Sequence, residues 1–330
     1  MIVFSDVHLR EDSADTVLGA VLPGIYQACL EHQDFEVACL GDLFHFRYKI
    51  DARVQNSVMD EFKRWGQAGI YLRILPGNHD QYDVSGRNVL ELFGHLPSVQ
   101  VYSQPTWDLH GLWVPYRKNP ADMLNALSLP RPTGDQHQQV LWLHCGLRGA
   151  RMNDKCLDSD GIPLEAFGDT WSTILSGHYH EHQQVGAYAY YVGSPWQTSA
   201  LEAGQPKGYC RWLGGRLTFV PTHWGPRYHS VQLQAGQTLD LTGVRLGDEV
   251  RVTTVGAGAE QIAVQVGALL AEAGIRHTVT PEVEKVEARL QVGVGASLAQ
   301  YASAYVDLLH GDLDAVRLMT MFGALTQGDT

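Results

Sequence analysis

The sequence predicts an α/β protein in which a sheet flanked by helices packs on a second sheet, followed by a small α+β unit. Three observations predict it. Short apolar runs alternate with amphipathic stretches over the first eighty residues, strand pairs crowd the region after 140, and the pattern changes again beyond about 230. A chain of 330 residues exceeds one ordinary core, and 45% apolar with 18% charged residues is an ordinary globular composition.

In chain order, "IVFS" at 2–5 reads as a strand, 14–31 as a helix with Pro23 as a kink, and "EVACL" at 36–40 as a second strand. Over 51–67, Val54, Val58, Phe62 and Trp65 recur near helical spacing, and "IYLRIL" at 70–75 is a third strand. Such repetition places functional residues on loops beyond the strand C-termini. From 140, "VLWLH", "STILSG", "QQVGAYAYYVGS" and "GYCRWLGGRLTFV" read as strands, with turns at Gly186 and Gly214-Gly215. "PTHWGPRYHS" at 221–230 is a Pro- and Gly-punctuated boundary. Beyond it, a strand near 248–255, a helix at 259–273, strands near 276–282 and 286–292 and a helix at 297–309 make the smaller unit.

Composition narrows the function. Cys29, Cys39, Cys145, Cys156 and Cys210 are scattered without a CxxC pair, which suits reduced thiols in a cytoplasm. The opening "MIVFSDVHL" lacks a secretory pattern and no stretch reaches membrane-spanning length, so a cytoplasmic protein without membrane contact is expected. A formal net charge of −12 argues against coating nucleic acid by bulk attraction. Half of that deficit falls on residues 240–330.

The strand ends carry the chemistry. "FSDVHLR" brings Asp6 and His8, which in an extended chain point the same way. "CLGDLFHF" brings Asp42 and, three residues on, His45. "LPGNHD" brings Asn78 and His79 after a Pro-Gly turn, "LWLHCG" brings His144, and "LSGHYHEH" brings His178 and His180. Each alone has a bland reading: a turn, a capped loop, a hydrogen-bonded core histidine. Five such segments in order, each ending a β run, do not. Carboxylates, imidazoles and an amide oxygen without thiolate suit Mn²⁺, Fe²⁺ or Zn²⁺, whereas Mg²⁺ and Ca²⁺ prefer all-oxygen sets. Seven ligands are too many for one tetrahedral ion and enough for two, with Asp42 as the anionic bridge.

These motifs resemble the calcineurin-like metallophosphoesterase superfamily, whose signature runs D-x-H, G-D, G-N-H-[DE], H and G-H-x-H. They read here as Asp6/His8, Gly41-Asp42, Gly77-Asn78-His79-Asp80, His144 and Gly177-His178-Tyr179-His180. His45 after the bridging Asp, "YVGSPWQTSALEAGQPKGY" at 191–209 and "GPRYHSVQL" further resemble its SbcD or MRE-eleven branch of DNA-repair and recombination nucleases. The resemblance implies a four-layer αββα sandwich over residues 1–228 and a smaller α+β C-terminal capping domain over 229–330. It implies one metal on Asp6, His8, Asp42 and His180 and another on Asp42, Asn78, His144 and His178, most often Mn²⁺. His79 would sit beside the scissile phosphate as the catalytic group, with His45 as its partner in orienting DNA and the leaving group. DNA, a homodimer and an SMC-like ABC ATPase of the SbcC or RAD-fifty type are the implied partners.

Neighbouring residues carry a second reading each. His182 is a surface or supporting histidine sooner than a ligand, Tyr179 and Cys145 face the core, and Asp80 braces its turn. Tyr191 and Trp196 either stack on a base or fill a β layer. Arg47, Lys49, Arg53, Lys63 and Arg64 either contact phosphate or form a solvated helix face, and the apolar stretch 313–325 either docks on a partner or covers the small unit. The competing functions are a small-molecule or nucleotide phosphodiesterase with the same metals, and a non-catalytic scaffold. The scaffold predicts a broken ligand set, and none of the ligands is missing.

Overall fold

A computed structural model describes residues 1–83, 85–132, 139–153, 156–282 and 300. The strand expected at 286–292, nearly all of the helix expected at 297–309 and the stretch 313–325 lie outside the described residues.

Strands β1 (Ile2–Phe4), β2 (Glu36–Cys39), β3 (Tyr71–Ile74) and β4 (Val99–Val101) run parallel, with helices α1 (Leu22–His32) and α2 (Ala52–Gln67) between the first three. The expected kink near Pro23 is a π-helical turn at Val17–Val21, just before α1. Proline has no N–H for the carbonyl four residues back and its ring crowds it; a wider turn accommodates both. Helix α2 starts where the Asp51 carboxylate accepts the N–H groups of Arg53 and Val54, and it buries the predicted Val54, Val58, Phe62 and Trp65.

The chain continues through β5 (Thr106–Asp108), β6 (Gly111–Val114), a short helix α3 (Pro120–Ala126), β7 (Val140–His144) and the small hairpin β8 (Arg151–Asn153) and β9 (Cys156–Leu157). After β10 (Thr173–Gly177), strands β11 (Gln183–Val185) and β12 (Ala189–Tyr191) turn at Gly186 and complete a second sheet, ordered β11-β12-β10-β7-β6-β5. The hairpin β13 (Lys207–Leu213) and β14 (Arg216–Thr222) turns at Gly214-Gly215 but returns to the first sheet, where β13 lies antiparallel to β1. That sheet is therefore ordered β14-β13-β1-β2-β3-β4.

Side-chain alternation builds the layers. Val3, Ala38 and Leu40 from the first sheet meet Trp113, Trp142 and Leu175 from the second, and the Trp113 and Trp142 rings stack with centroids 4.6 Å apart. The opposite faces pack outward: Phe4, Val37 and Cys39 against α1 and α2, Leu141, Leu143 and Ile174 against Met123 of α3. The result is a four-layer αββα sandwich. Beyond it, β15 (Tyr228–Gln234), β16 (Glu249–Val255) and β17 (Arg276–Pro281) form a parallel sheet with helix α4 (Ala259–Glu272) around Leu233, Val250, Val252, Val266 and Leu270. No helix among the described residues is long and apolar enough to cross a membrane.

Candidate metal centre

The C-terminal ends of β1, β2, β3, β7 and β10 meet at one edge of the sandwich, and the seven predicted ligands lie there. An extended chain does not deliver Asp6 and His8, contrary to expectation. β1 ends at Phe4, so neither residue is on a strand. Asp6, His8, Asp42 and His178 all adopt left-handed backbone, with φ of 54°, 49°, 52° and 103°. Among the described residues only Gln33 shares this state without being glycine. Such conformers cost on the order of 1–3 kcal/mol each and persist where surrounding bonds over-determine them. Here the N–H groups of Asp6, His8 and Leu9 donate to the carbonyls of Gly41, Asp42 and Leu43, lacing two loops together. The N–H of His178 points between both Asp6 carboxylate oxygens at 3.1 Å.

Asp80 braces the third loop: its buried carboxylate accepts the N–H groups of Asp42 (2.7 Å), Gly77 (3.0 Å) and Phe44 (3.1 Å). A Cβ at position 77 would lie 2.1 Å from Asp42 Oδ1, so only glycine lets this loop approach the carboxylate.

The ligand atoms converge in two overlapping sets. His8 Nε2 lies 3.6 Å from Asp42 Oδ2, 3.9 Å from Asp6 Oδ1 and 3.0 Å from His180 Nε2. On the other side, His144 Nε2 lies 3.4 Å from the same Asp42 oxygen and 3.1 Å from Asn78 Oδ1, which also lies 3.0 Å from His178 Nδ1. The distal nitrogens set the tautomers: His144 Nδ1 donates to the Leu40 carbonyl at 2.6 Å and His180 Nδ1 to Glu202 Oε1 at 2.6 Å. Lone pairs of imidazole, carboxylate and amide oxygen then face one another with few protons between them, the electrostatic pattern a cation resolves. The donor set fits divalent metal.

The same field moves the titrating groups. Burial opposes charge on His144, yet Asp42, Asp6 and the Leu40 carbonyl overcome it and lift its pKa to about 9. His178, buried beside His144, is pushed down to about 4. Burial raises the Asp42 carboxyl, but His144, His8 and His79 outweigh it and hold it well below the usual carboxylate range. The carboxylates thus favour positive charge at His144, while burial and neighbouring imidazoles oppose it at His178.

His79 is presented differently. Its backbone N–H donates to Asp42 Oδ1 at 2.8 Å, and its Nδ1 donates to the His45 carbonyl at 2.7 Å, so Nε2 is left for an incoming group. The His45 ring stacks on that of His79 at 5.0 Å, and its Nδ1 lies 3.2 Å from His8 Nδ1. His45 thus anchors His79 through its backbone oxygen, and its imidazole lies against the candidate ligand His8.

Sequence reasoning missed Glu202 and Lys207. Buried Glu202 accepts from His180, from the Thr198 N–H and hydroxyl, and pairs with buried Lys207 at 2.9 Å. Burial raises its carboxyl, but His180 and Lys207 prevail and hold it at about 2. A lysine inside a strand otherwise buried was the available signal. Glu202→Gln is expected to weaken divalent binding at the His180 side roughly tenfold to a hundredfold, with the second equivalent unaffected. Calorimetric titration with Mn²⁺ measures this, and two unchanged binding steps would show that Glu202 does not position His180.

Packing assigns the neighbouring side chains. Tyr191 is fully buried and exchanges hydrogen bonds with Leu147 and Cys145, and buried Trp196 donates to the Val7 carbonyl, so neither is open to a base. Tyr179 donates to Asp158, Cys145 is buried, and the His182 ring lies on Phe219. Arg53, Lys63 and Arg64 pair with Asp51, Asp60 and Glu61, as a solvated helix face does. Arg47 and Lys49 make no ion pair among the described residues.

Against known proteins, a family model described as calcineurin-like phosphoesterase matches residues 1–182. The protein named Exonuclease subunit 1 of Enterobacteria phage T4 is 26% identical over 210 residues, covering 57% of this chain and 57% of that one. The chain therefore spans little more than half the length of that relative. Among solved structures, the nuclease MPE of Pseudomonas putida aligns at 18% identity and a TM-score of 0.30, over 57% of this chain and 65% of that one.

Proposed function

The chain belongs to the calcineurin-like phosphoesterase family, and from that premise we propose that it is a dinuclear-metal DNA nuclease. It hydrolyses phosphodiester bonds at strand ends and within single strands, in repair or recombination. The observation that carries the reading is Asp42 Oδ2, within 3.6 Å of His8 Nε2 and 3.4 Å of His144 Nε2, one carboxylate in reach of both ligand sets with His79 beside it. Asp6, His8, Asp42 and His180 would hold one cation, and Asp42, Asn78, His144 and His178 the other. Cations so held supply Lewis-acid polarisation of phosphoryl oxygens and acidify water. Mn²⁺ is the favoured ion, with Fe²⁺ or Zn²⁺ compatible with the same donors.

The protein's own groups do the rest. His79, steadied by Asp42 and the His45 carbonyl, would place Nε2 against the scissile phosphate, balance its charge and pass a proton to the departing oxygen. His45 holds both His79 and His8 in register.

The exonuclease name of the phage relative supports DNA over a small phosphoester, and its designation as a subunit supports a partner. An acidic chain gains DNA affinity from such a partner, which we take to be an SMC-like ABC ATPase, with the nuclease as a homodimer. Residues 1–228 would form the nuclease domain and 229–330 a cap.

The test compares single- and double-stranded DNA, cyclic nucleotides and bis-p-nitrophenyl phosphate with Mn²⁺ supplied and with EDTA. Metal-dependent cleavage of DNA is expected. Turnover confined to the small diesters would instead select the nucleotide phosphodiesterase.

A further inference from the structure

The loop after β2 (residues 45–51) and the loop after β6 (residues 115–120) enclose a cleft of about 700 Å³ that opens beside the metal ligand Asn78. Three cations line it, Arg47, Arg117 and Lys118, and among the described residues none forms an ion pair of the kind the helix-face cations make. Arg47 and Lys118 make no ion pair among the described residues. Arg117 donates only to neutral acceptors: the carbonyls of Tyr116 (3.0 Å) and Ser103 (3.3 Å) and Gln104 Oε1 (2.9 Å). Two carboxylates, Asp83 and Asp122, also line the cleft, and Asp122 partly offsets the charge of Arg117 without bonding to it, so the excess positive charge rests on Arg47 and Lys118. Asp83 Oδ1 is already occupied by the N–H groups of Ser85 and Arg87 and by the Ser85 hydroxyl.

Aromatic rings alternate with these cations. Tyr48 is 81% exposed, a large ring with almost no packing role. Tyr82 is half-buried at the wall. The Tyr116 ring lies 6.4 Å from that of His178 and within 26° of parallel, at the junction of cleft and metal centre. The wall is built rather than loose: the buried Gln81 side chain donates to the Tyr116 carbonyl at 2.7 Å.

A basic groove with interleaved aromatic faces is how unpaired nucleic acid is held without sequence reading, and this volume fits a short single strand. We propose that the cleft seats the nucleotides on one side of the phosphodiester offered to the metal centre. Phosphates lie against Arg47, Arg117 and Lys118, and bases stack on Tyr48, Tyr82 or Tyr116. This rests on the nuclease reading above and adds to it the path of the strand.

The test uses the full chain with Mn²⁺, a fluorescent single-stranded oligonucleotide and bis-p-nitrophenyl phosphate. The triple variant Arg47→Gln, Tyr48→Ala, Lys118→Gln alters exposed side chains only. Its kcat/KM for the oligonucleotide is expected to fall at least about tenfold further than for the small diester, with the loss carried by KM. Lys63→Gln with Arg216→Gln makes the same charge change away from the cleft and should leave oligonucleotide KM within about twofold of the parent. Equal losses on both substrates, or an equal KM rise in the control, would overturn the cleft assignment while leaving the nuclease reading intact. A parent that cleaves the small diester but no oligonucleotide would remove the nuclease reading and the cleft with it.

Discussion

Replacing Asp42 by asparagine is expected to leave a folded chain that retains less than one equivalent of divalent cation after gel filtration, where the parent retains two. Asp42 Oδ2 lies 3.6 Å from His8 Nε2 of one ligand set and 3.4 Å from His144 Nε2 of the other, so removing its charge weakens both at once. Cleavage should fall roughly a thousandfold or more, since several kcal/mol of transition-state stabilisation depends on the ions. The fold should survive for specific reasons. Asparagine tolerates the left-handed backbone seen at position 42, where φ is 52°. Its Oδ1 can still accept the His79 N–H, and its amide can donate toward imidazole nitrogens. Asp42 also raises the carboxyls of buried Asp6 and Asp80, after burial itself, so neutralising it relieves like-charge repulsion. That relief is smaller than the loss of the buried pairing with His144, whose pKa Asp42 helps lift to about 9, so without metal the variant should melt somewhat below the metal-free parent near neutral pH. Elemental analysis and a melting curve on the same sample decide it; full metal content in the variant would remove Asp42 as the bridge.

His79→Ala is expected to behave in the opposite way, binding two equivalents of metal as the parent does while DNA cleavage falls by about 10²–10⁴-fold. The two results together separate holding the ions from using them. Proton delivery can be distinguished from charge balance by choice of leaving group. p-Nitrophenolate departs as a stable anion and needs little protonation, whereas a sugar oxygen needs a proton. The variant should therefore lose much less activity on bis-p-nitrophenyl phosphate than on DNA. Equal losses on both would assign His79 to charge balance and positioning alone. His45→Ala provides a graded comparison. It keeps the backbone carbonyl that accepts from His79 Nδ1 and removes only the stacked ring and the contact to His8, so its loss should be smaller than that of His79→Ala.

The legible part of this protein lies in patterns that obey local rules. Alternating strands and the helical spacing of Val54, Val58, Phe62 and Trp65 are read from side-chain period alone, and both appear as expected. The seven candidate ligands, which the structure brings together at one edge, were legible because the chemistry asks for particular atoms at strand ends, whatever the backbone does to deliver them. The delivery was not legible. Asp6 with His8 and His178 with His180 share a spacing of two, which suggests an extended strand, yet Asp6, His8 and His178 stand in left-handed backbone held by bonds to Gly41, Asp42 and Asp6. Those bonds join segments up to 172 residues apart in the chain, and no local propensity records them. For the same reason Glu202 and Lys207 went unread: a glutamate is informative only once His180 is found 2.6 Å away.

The hairpin β13–β14 shows the division most plainly. Its strands and its Gly-Gly turn follow from sequence, but its return across the molecule to pair with β1 depends on which sheet edge was left open. For "LPGNHD", sequence determined the turn and the kinds of atom offered. Tertiary structure decided the rest: Asn78 faces His144 and His178, His79 is tied to Asp42 and the His45 carbonyl, and Asp80 turns inward to three N–H groups. The physical reason is that composition and period act on neighbours in the chain, whereas charge and hydrogen bonding act on neighbours in space.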